Sequence, residues 1–396
     1  MPRFPFPLEK GDKLRAYHQI VELSKRNEIY LFCVSHNAVC ESQLAALRPY
    51  CKDIRVVKLN RPVCYRNVVR NWFASKSLQI GYWNTKRSKR QCRAYISQVN
   101  PEVVYNQMVR TMPLVARCDC PKVMDFQDAL SMNMERRMEQ VGGLRRYAYH
   151  FEFKMLRSSE YNAFSIFDAL TIISETDRDA IPHRNGRTIH VVRNGVDFDT
   201  FHPMESPKDF AVVFCGNMQY LPNVDAAQFL VREIMPIVWE RYPQARVVLA
   251  GATPKPSVRR LAGDRVSVTG SVDDIRPFYA SSSVFVAPMR MGSGLQNKLL
   301  EAMAMGTPCV TTPIANEALG AEDGTHLLLG ATAAELAECI CSLLASPQRA
   351  AEMVSRAMSF VHENFSWKAT GRALEQVLAT AIASHKELKH VQLEDE

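Results

Sequence analysis

The segment spanning residues 283–312 restricts the fold more than any other part of the chain. Residues 284–287 form an apolar run that reads as a short buried strand, closed by Pro288. A loop carrying Gly292 and Gly294 follows, then a predicted helix over 297–305, stopped by Gly306 and Pro308. Another strand begins at Cys309. Strand, glycine loop and helix N-terminus together make an anion site, because unpaired backbone N–H groups and the positive end of the helix dipole face the loop. Lys298 and Glu301 stand three residues apart and share one helix face, while Leu299, Leu300 and Met303 can turn toward a sheet. A cation for phosphate beside a carboxylate for sugar hydroxyls suits a nucleotide sugar.

Around this motif, strands and helices alternate. Strands are predicted over 28–34, 53–59, 102–105, 122–126, 169–174 and 188–192. Helices are predicted over 14–25, 42–47 and 111–116, with a helix-rich stretch at 133–163. A second series begins with strands at 210–215, 246–251 and 266–268 and helices at 224–242 and 274–279. Such alternation favours parallel α/β architecture. The turn-rich segment 193–203, with Asn194-Gly195 and Pro203 as breakers, separates the two series. A chain of 396 residues holds two or more domains. The expected division is 1–192, 193–371 and a closing helix with tail at 372–396. Two α/β halves predict a ligand cleft between them, at the carboxyl ends of the strands.

Composition narrows the class. Hydrophobic residues at 47% and charged residues at 23% are those of an ordinary globular protein, and no apolar run is long enough to span a bilayer. The first ten residues lack the apolar core of a signal peptide, so a cytoplasmic protein is expected. The eleven cysteines are scattered, and the pairs Cys118/Cys120 and Cys339/Cys341 lack the gap of metal or redox motifs. No His/Cys/Asp cluster has metal-ligand spacing, so neither metal nor cofactor is expected.

Lys plus Arg exceed Asp plus Glu by 49 to 41, and the excess is concentrated. Lys86, Arg87, Lys89, Arg90 and Arg93 crowd one segment near Trp72, Phe73, Tyr82 and Trp83. This pattern fits docking to an anionic membrane surface or, equally, one solvated helix face. No nucleic-acid-binding module is present. A dinucleotide fingerprint is also missing, since the third glycine after Gly292 and Gly294 falls at Asn297.

The run Gly292-Ser293-Gly294-Leu295, three residues, then Leu299-Leu300-Glu301-Ala302-Met303-Ala304-Met305-Gly306-Thr307-Pro308 resembles the donor-site motif of glycosyltransferase family 4. Members are retaining enzymes of the GT-B fold, two Rossmann-like domains facing across a cleft, and the resemblance is to the group serving bacterial exopolysaccharide and cell-surface sugar transfer. Segment 193–203 resembles the family's hinge entry, and the last helix is expected to return to the first domain.

The resemblance implies site residues. Glu301 would accept hydrogen bonds from ribose hydroxyls. Lys298 and Arg290 would meet the diphosphate, helped by the backbone of Gly292, Ser293, Gly294 and Leu295. Gly216 and Asn217 open the loop after the first strand of the second domain, and Val272 would contact the nucleobase. In the first domain, Gly11 and Asp12 match the loop that approaches the donor phosphate. Asp128 and Asp125 are the carboxylates on offer near the reacting carbon. Asp128 is preferred, with helix capping as its competitor, and Glu175 is read as structural.

There are departures from the family pattern. Ser293 stands where a second Glu often occurs, the loop 216–223 has no cation, and Gln127 replaces a frequent His. The chain also opens on the loop 2–12 where the family has a preceding strand. A missing central strand, and a chain start truncated or assigned too late, are therefore expected. The function implied is retaining, metal-independent transfer from a nucleotide-diphosphate sugar to a sugar or lipid-linked acceptor, with peripheral docking at the inner face of the cytoplasmic membrane as a further expectation. A nucleotide-sugar 2-epimerase and a non-catalytic nucleotide-sugar binder are the alternatives.

Overall fold

The computed structural model describes residues 1–139, 141–181, 183–291 and 295–394. The chain divides into two compact units, Met1–Arg193 with Thr370–Glu396, and Asn194–Ala369. The first junction lies at the start of the turn-rich segment.

The first unit is built on parallel strands in two pieces. Strands β1 (Tyr30–Ser35) and β2 (Asp53–Lys58) pair with each other. Strands β3 (Val104–Gln107), β4 (Lys122–Asp125), β5 (Ala169–Ile172) and β6 (His190–Val191) form a separate sheet in that order. No strand joins β1 to β3 among the described residues. Instead Arg3 N donates to Val34 O at 2.8 Å and Val34 N donates to Met1 O at 3.1 Å.

Helix Gly11–Ser24 meets the second sheet through buried polar contacts: Arg15 with Asp125 at 2.6 Å, and Gln107 Nε2 donating to Gln19 Oε1 at 2.8 Å. The closing helix Trp367–Glu394 carries Leu374, Val377 and Ala381 into the core of this unit. Arg26 and Asn27 clamp Glu375, and His385 meets Asp168 at 2.9 Å.

The second unit has one six-stranded parallel sheet. Its strands are β7 (Phe210–Cys215), β8 (Val247–Ala250), β9 (Val266–Gly270), β10 (Ser282–Ala287), β11 (Cys309–Thr311) and β12 (Leu328–Leu329), in the order β12-β11-β10-β7-β8-β9. These strands read as continuous apolar runs because helices cover both faces of a parallel sheet. The order reverses between β7 and β10, and in open α/β sheets it is at the carboxyl ends of the strands at such a switch point that ligands bind.

The helix predicted over 224–242 is three pieces: Leu221–Phe229, a π-helical turn at Leu230–Ile234, and Met235–Arg241. Pro236 explains the break, since it has no N–H to donate and its ring crowds the preceding turn. Likewise Gly142 and Gly143 divide the stretch 133–163 into helices Leu130–Glu139 and Gly143–Ala163.

Candidate functional site

The reversal between β7 and β10 brings the sequence motif together with residues far from it. Helix Asn297–Ala304 packs Leu299, Leu300 and Met303 into the core, leaving Lys298 and Glu301 half-buried on the opposite side. Lys298 Nζ donates to Asn223 Oδ1 at 2.6 Å and lies 5.2 Å from the ring centre of Phe214 in β7. Asn223 Nδ2 in turn donates to Asn217 O at 3.0 Å, so one amide ties the loop after β7 to the lysine. Gly216 is required there: a Cβ would stand 2.8 Å from Asn223 Nδ2.

Glu301 has its own positioning partner. The hydroxyl of Tyr279, a fully buried residue just before β10, donates to Glu301 Oε2 at 2.9 Å. Burial dominates the titration of both motif residues. It pulls the Lys298 ammonium down to about 8, against the opposing pull of Cys215 and Glu301. It pushes the Glu301 carboxyl up to about 7, with the Tyr279 hydrogen bond and Lys298 opposing. Such a pair is held in a desolvated setting, where interactions with an anionic ligand are strengthened.

Arg290 differs from the expectation of a cation available to the diphosphate. Its guanidinium lies over the Phe229 ring at 4.3 Å and pairs with Asp225 at 2.7 Å and Glu233 at 3.5 Å. Its charge is already compensated by two carboxylates. Leu295 is half-buried against the core of the second unit, and Val272 is half-buried in the loop after β9. Asp274 accepts from the backbone and guanidinium of Arg276, which hold its carboxyl below the usual range, so it serves a turn. Gly292, Ser293 and Gly294 lie outside the described residues.

In the first unit Gly11 opens its helix, and Asp12 pairs with Arg3 at 2.5 Å. Asp125 requires correction. It is fully buried, ion-paired with the equally buried Arg15, and accepts from Thr171 Oγ1 at 3.1 Å. Every such bond faces the protein interior, so Asp125 joins helix to sheet and is not a group for substrate.

Asp128, three residues on, accepts from Asn133 Nδ2 at 2.8 Å. Burial, then the charge of Asp177, pushes its carboxyl up to about 6. The helix start beside it is satisfied by other carboxylates: Ala129 N donates to Asp177 at 3.2 Å and Ser131 N to Glu160 at 2.9 Å. Glu175 pairs with Arg193 at 3.0 Å. Among the described residues no group of His, Cys, Asp and Glu is placed to hold a metal ion.

The basic segment lies on helix Lys86–Val99, which buries Ser88, Cys92 and Tyr95. Lys86, Arg87, Arg90 and Arg93 are exposed, whereas Lys89 is half-buried. Trp83 is only 8% exposed and belongs to the core, so it does not contribute the surface aromatic expected of it. The exposed aromatics Trp72 and Phe73 sit on an earlier helix, Arg61–Phe73.

Sequence reasoning missed Asn223, Tyr279, Asp177 and Glu160. Asn223 closes the glycine-led loop 216–223 and Tyr279 ends a predicted helix, but their partners are 75 and 22 residues away.

Comparison with known proteins fits this geometry. Residues 209–346 match the family model described as glycosyl transferases group 1. The chain is 23% identical over 233 residues to an uncharacterized 44.6 kDa protein in the cps region of Klebsiella pneumoniae, covering 56% of this chain and 58% of that one. It is 28% identical over 249 residues to a D-inositol 3-phosphate glycosyltransferase of Mycobacterium avium, covering 55% and 56%. The chain thus spans somewhat over half the length of these curated relatives. Anabaena HepE, solved in complex with UDP and glucose, superposes with a TM-score of 0.68 at 15% identity, over 93% of this chain and 96% of that one. By these matches the fold is GT-B, and the match to glycosyl transferases group 1 falls within the second unit of the chain.

Proposed function

We propose that the chain is a retaining, metal-independent glycosyltransferase that moves a sugar from a nucleotide-diphosphate sugar to an acceptor hydroxyl in cell-surface polysaccharide or glycolipid synthesis. The observation that carries this reading is the placement of Lys298 and Glu301, each with a buried partner, at the β7/β10 reversal. Lys298 neutralises charge on the departing diphosphate, and Glu301 holds the ribose. The bond from the sugar carbon to the diphosphate oxygen breaks, and the acceptor oxygen bonds to the same face. The acceptor proton passes to the leaving oxygen. Asp128, the candidate carboxylate of the first unit, orients the acceptor.

Supporting the nucleotide-sugar reading, Anabaena HepE is a structural neighbour solved with UDP and glucose. A thermal-shift panel of nucleoside diphosphates and nucleotide sugars tests the reading, because a true donor stabilises the folded state by mass action. Donor hydrolysis by the wild type and by Glu301→Ala then separates enzyme from binder. Hydrolysis unchanged by the substitution overturns the site assignment, and EDTA-sensitive turnover overturns metal independence.

The acceptor in this reading is presented at an anionic membrane surface. From Arg61 to Pro101 the sequence has no Asp or Glu, and the exposed cations Lys86, Arg87, Arg90 and Arg93 lie on one helix. On helix Arg61–Phe73 the exposed side chains Tyr65, Val69, Trp72 and Phe73 follow helical spacing, so they form one apolar stripe. Exposed cations on one helix and an exposed aromatic stripe on another suit an acidic bilayer. Flotation with phosphatidylglycerol vesicles checks this, and its persistence after Lys86, Arg87, Lys89 and Arg90 are changed to Ser removes the cationic part.

A further inference from the structure

The first unit contains a cavity of about 190 Å³ between the loop after β1 and residues 3–13. Its walls include Arg3, Lys10, Ser35, His36 and the ring of Trp83. Sites for drug-sized ligands begin at roughly 300 Å³, so this one accommodates a single sugar ring and not a nucleotide sugar.

His36 is the unusual member. Both its ring nitrogens are shielded from solvent and neither has a hydrogen-bond partner among the described residues. Buried polar atoms are rarely left without partners, and a pair on one ring points to a ligand. The imidazole packs between the rings of Tyr82 at 4.8 Å and Trp83 at 5.0 Å. Burial, then the charges of Arg61 and Arg3, hold it below its ordinary titration range, so near neutral pH it is uncharged. A neutral imidazole donates from one nitrogen and accepts at the other, which matches two hydroxyls of a sugar. Aromatic faces such as that of Trp83 pack against the apolar side of such a ring.

The surrounding charge is positive. Asp12 compensates Arg3 and Glu9 compensates Lys13 at 3.1 Å, while Lys10, also in the wall, has no carboxylate partner among the described residues.

We propose that this cavity binds an acidic sugar unit, a hexuronate or an equivalently anionic monosaccharide, as the acceptor residue of the transfer described above. His36 takes its hydroxyls, Trp83 its ring face, and Lys10 its negative group. The inference rests on the glycosyl-transfer reading for the word acceptor, but its binding chemistry stands on the cavity alone.

The test uses the full chain labelled in its histidine rings, titrated near neutral pH with glucuronate, methyl glucoside and inorganic phosphate while the His36 resonances are followed. Glucuronate is expected to shift His36 and saturate, with the neutral glucoside about ten-fold weaker, the difference one charge-assisted contact makes. Phosphate alone leaves the resonances in place. Lys10→Gln, at an exposed position of the cavity wall, narrows the gap between the two sugars. Equal binding of both sugars, an equal response to phosphate, or no response from His36 overturns the proposal. A nucleoside-diphosphate thermal shift retained in that case leaves the donor reading standing, whereas its loss defeats the donor reading separately.

Discussion

The Tyr279 hydroxyl donates a 2.9 Å hydrogen bond to Glu301 Oε2, from a side chain with no solvent exposure to one at the candidate donor site. Tyr279 is thereby a positioning residue: it fixes the carboxylate through a bond that cannot swing toward water. Replacing it with Phe keeps the packing and deletes the bond. A hydrogen bond to a charged group contributes about 1.5–3 kcal/mol, so Tyr279→Phe is expected to weaken nucleoside-diphosphate binding by roughly ten-fold or more. Titration calorimetry on the variant checks this; unchanged affinity shows that Glu301 does not need Tyr279.

The opposed titrations of Glu301 and Lys298 give stability a specific pH dependence. The Glu301 carboxyl, raised to about 7 in the fold, keeps its proton above the pH at which the unfolded chain releases it. Its contribution is therefore favourable at low pH and lost as pH rises through 7. Lys298, lowered to about 8, does the reverse, and its contribution grows as pH climbs above 8. Ligand-free protein has both groups charged between about 7 and 8, where this pair supports the fold least. Glu301→Gln is expected to melt at a higher temperature than wild type at pH 8 and near the same temperature at low pH. Melting curves across this range decide it, and a constant offset at every pH rejects the assignment.

Two carboxylates three residues apart should behave oppositely. Asp125→Asn leaves the buried Arg15 guanidinium uncompensated, and breaking such a pair costs about 3–5 kcal/mol. Urea unfolding is the measurement. A loss below about 1 kcal/mol, the worth of an exposed pair, argues against the structural role.

Asp128→Asn instead removes a carboxyl held at about 6 by burial and the nearby Asp177. Because that raised value disfavours the folded state above pH 6, the variant is expected to match or exceed wild-type stability at pH 8. Its transfer rate is expected to fall about 100-fold or more, as for groups acting on reacting charge, with nucleoside-diphosphate affinity unchanged. An unaltered rate removes Asp128 from the chemistry.

Changing Asn223 to Ala tests the link between the loop after β7 and the motif lysine. It removes the acceptor for Lys298 Nζ and the donor to Asn217 O together. The expected effect is a stability loss of about 1–3 kcal/mol, with a weaker diphosphate-induced thermal shift. A shift equal to that of wild type shows that Lys298 finds its position without Asn223.

By itself the sequence determined what local periodicity and backbone chemistry control. Helix Asn297–Ala304 follows the expected pattern because burial at Leu299, Leu300 and Met303 leaves Lys298 and Glu301 on one face. The apolar runs became the strands of a parallel sheet because alternation with helices leaves few other arrangements. Pro236 was as legible as any residue, yet its effect, a π-helical turn before it, depends on helix geometry that no composition rule supplies.

Only the tertiary structure decided which side chains face each other. Asp125 and Asp128 look alike in sequence, but one meets Arg15 from a helix 110 residues earlier and the other meets Asn133 locally. Arg290 was compensated by Asp225 and Glu233, and Trp83 was drawn inside, through packing with elements distant in the chain. The physical reason is common to these cases: a side chain's charge, titration and availability depend on desolvation and on partners that arrive from elsewhere, and both exist only once the chain has folded.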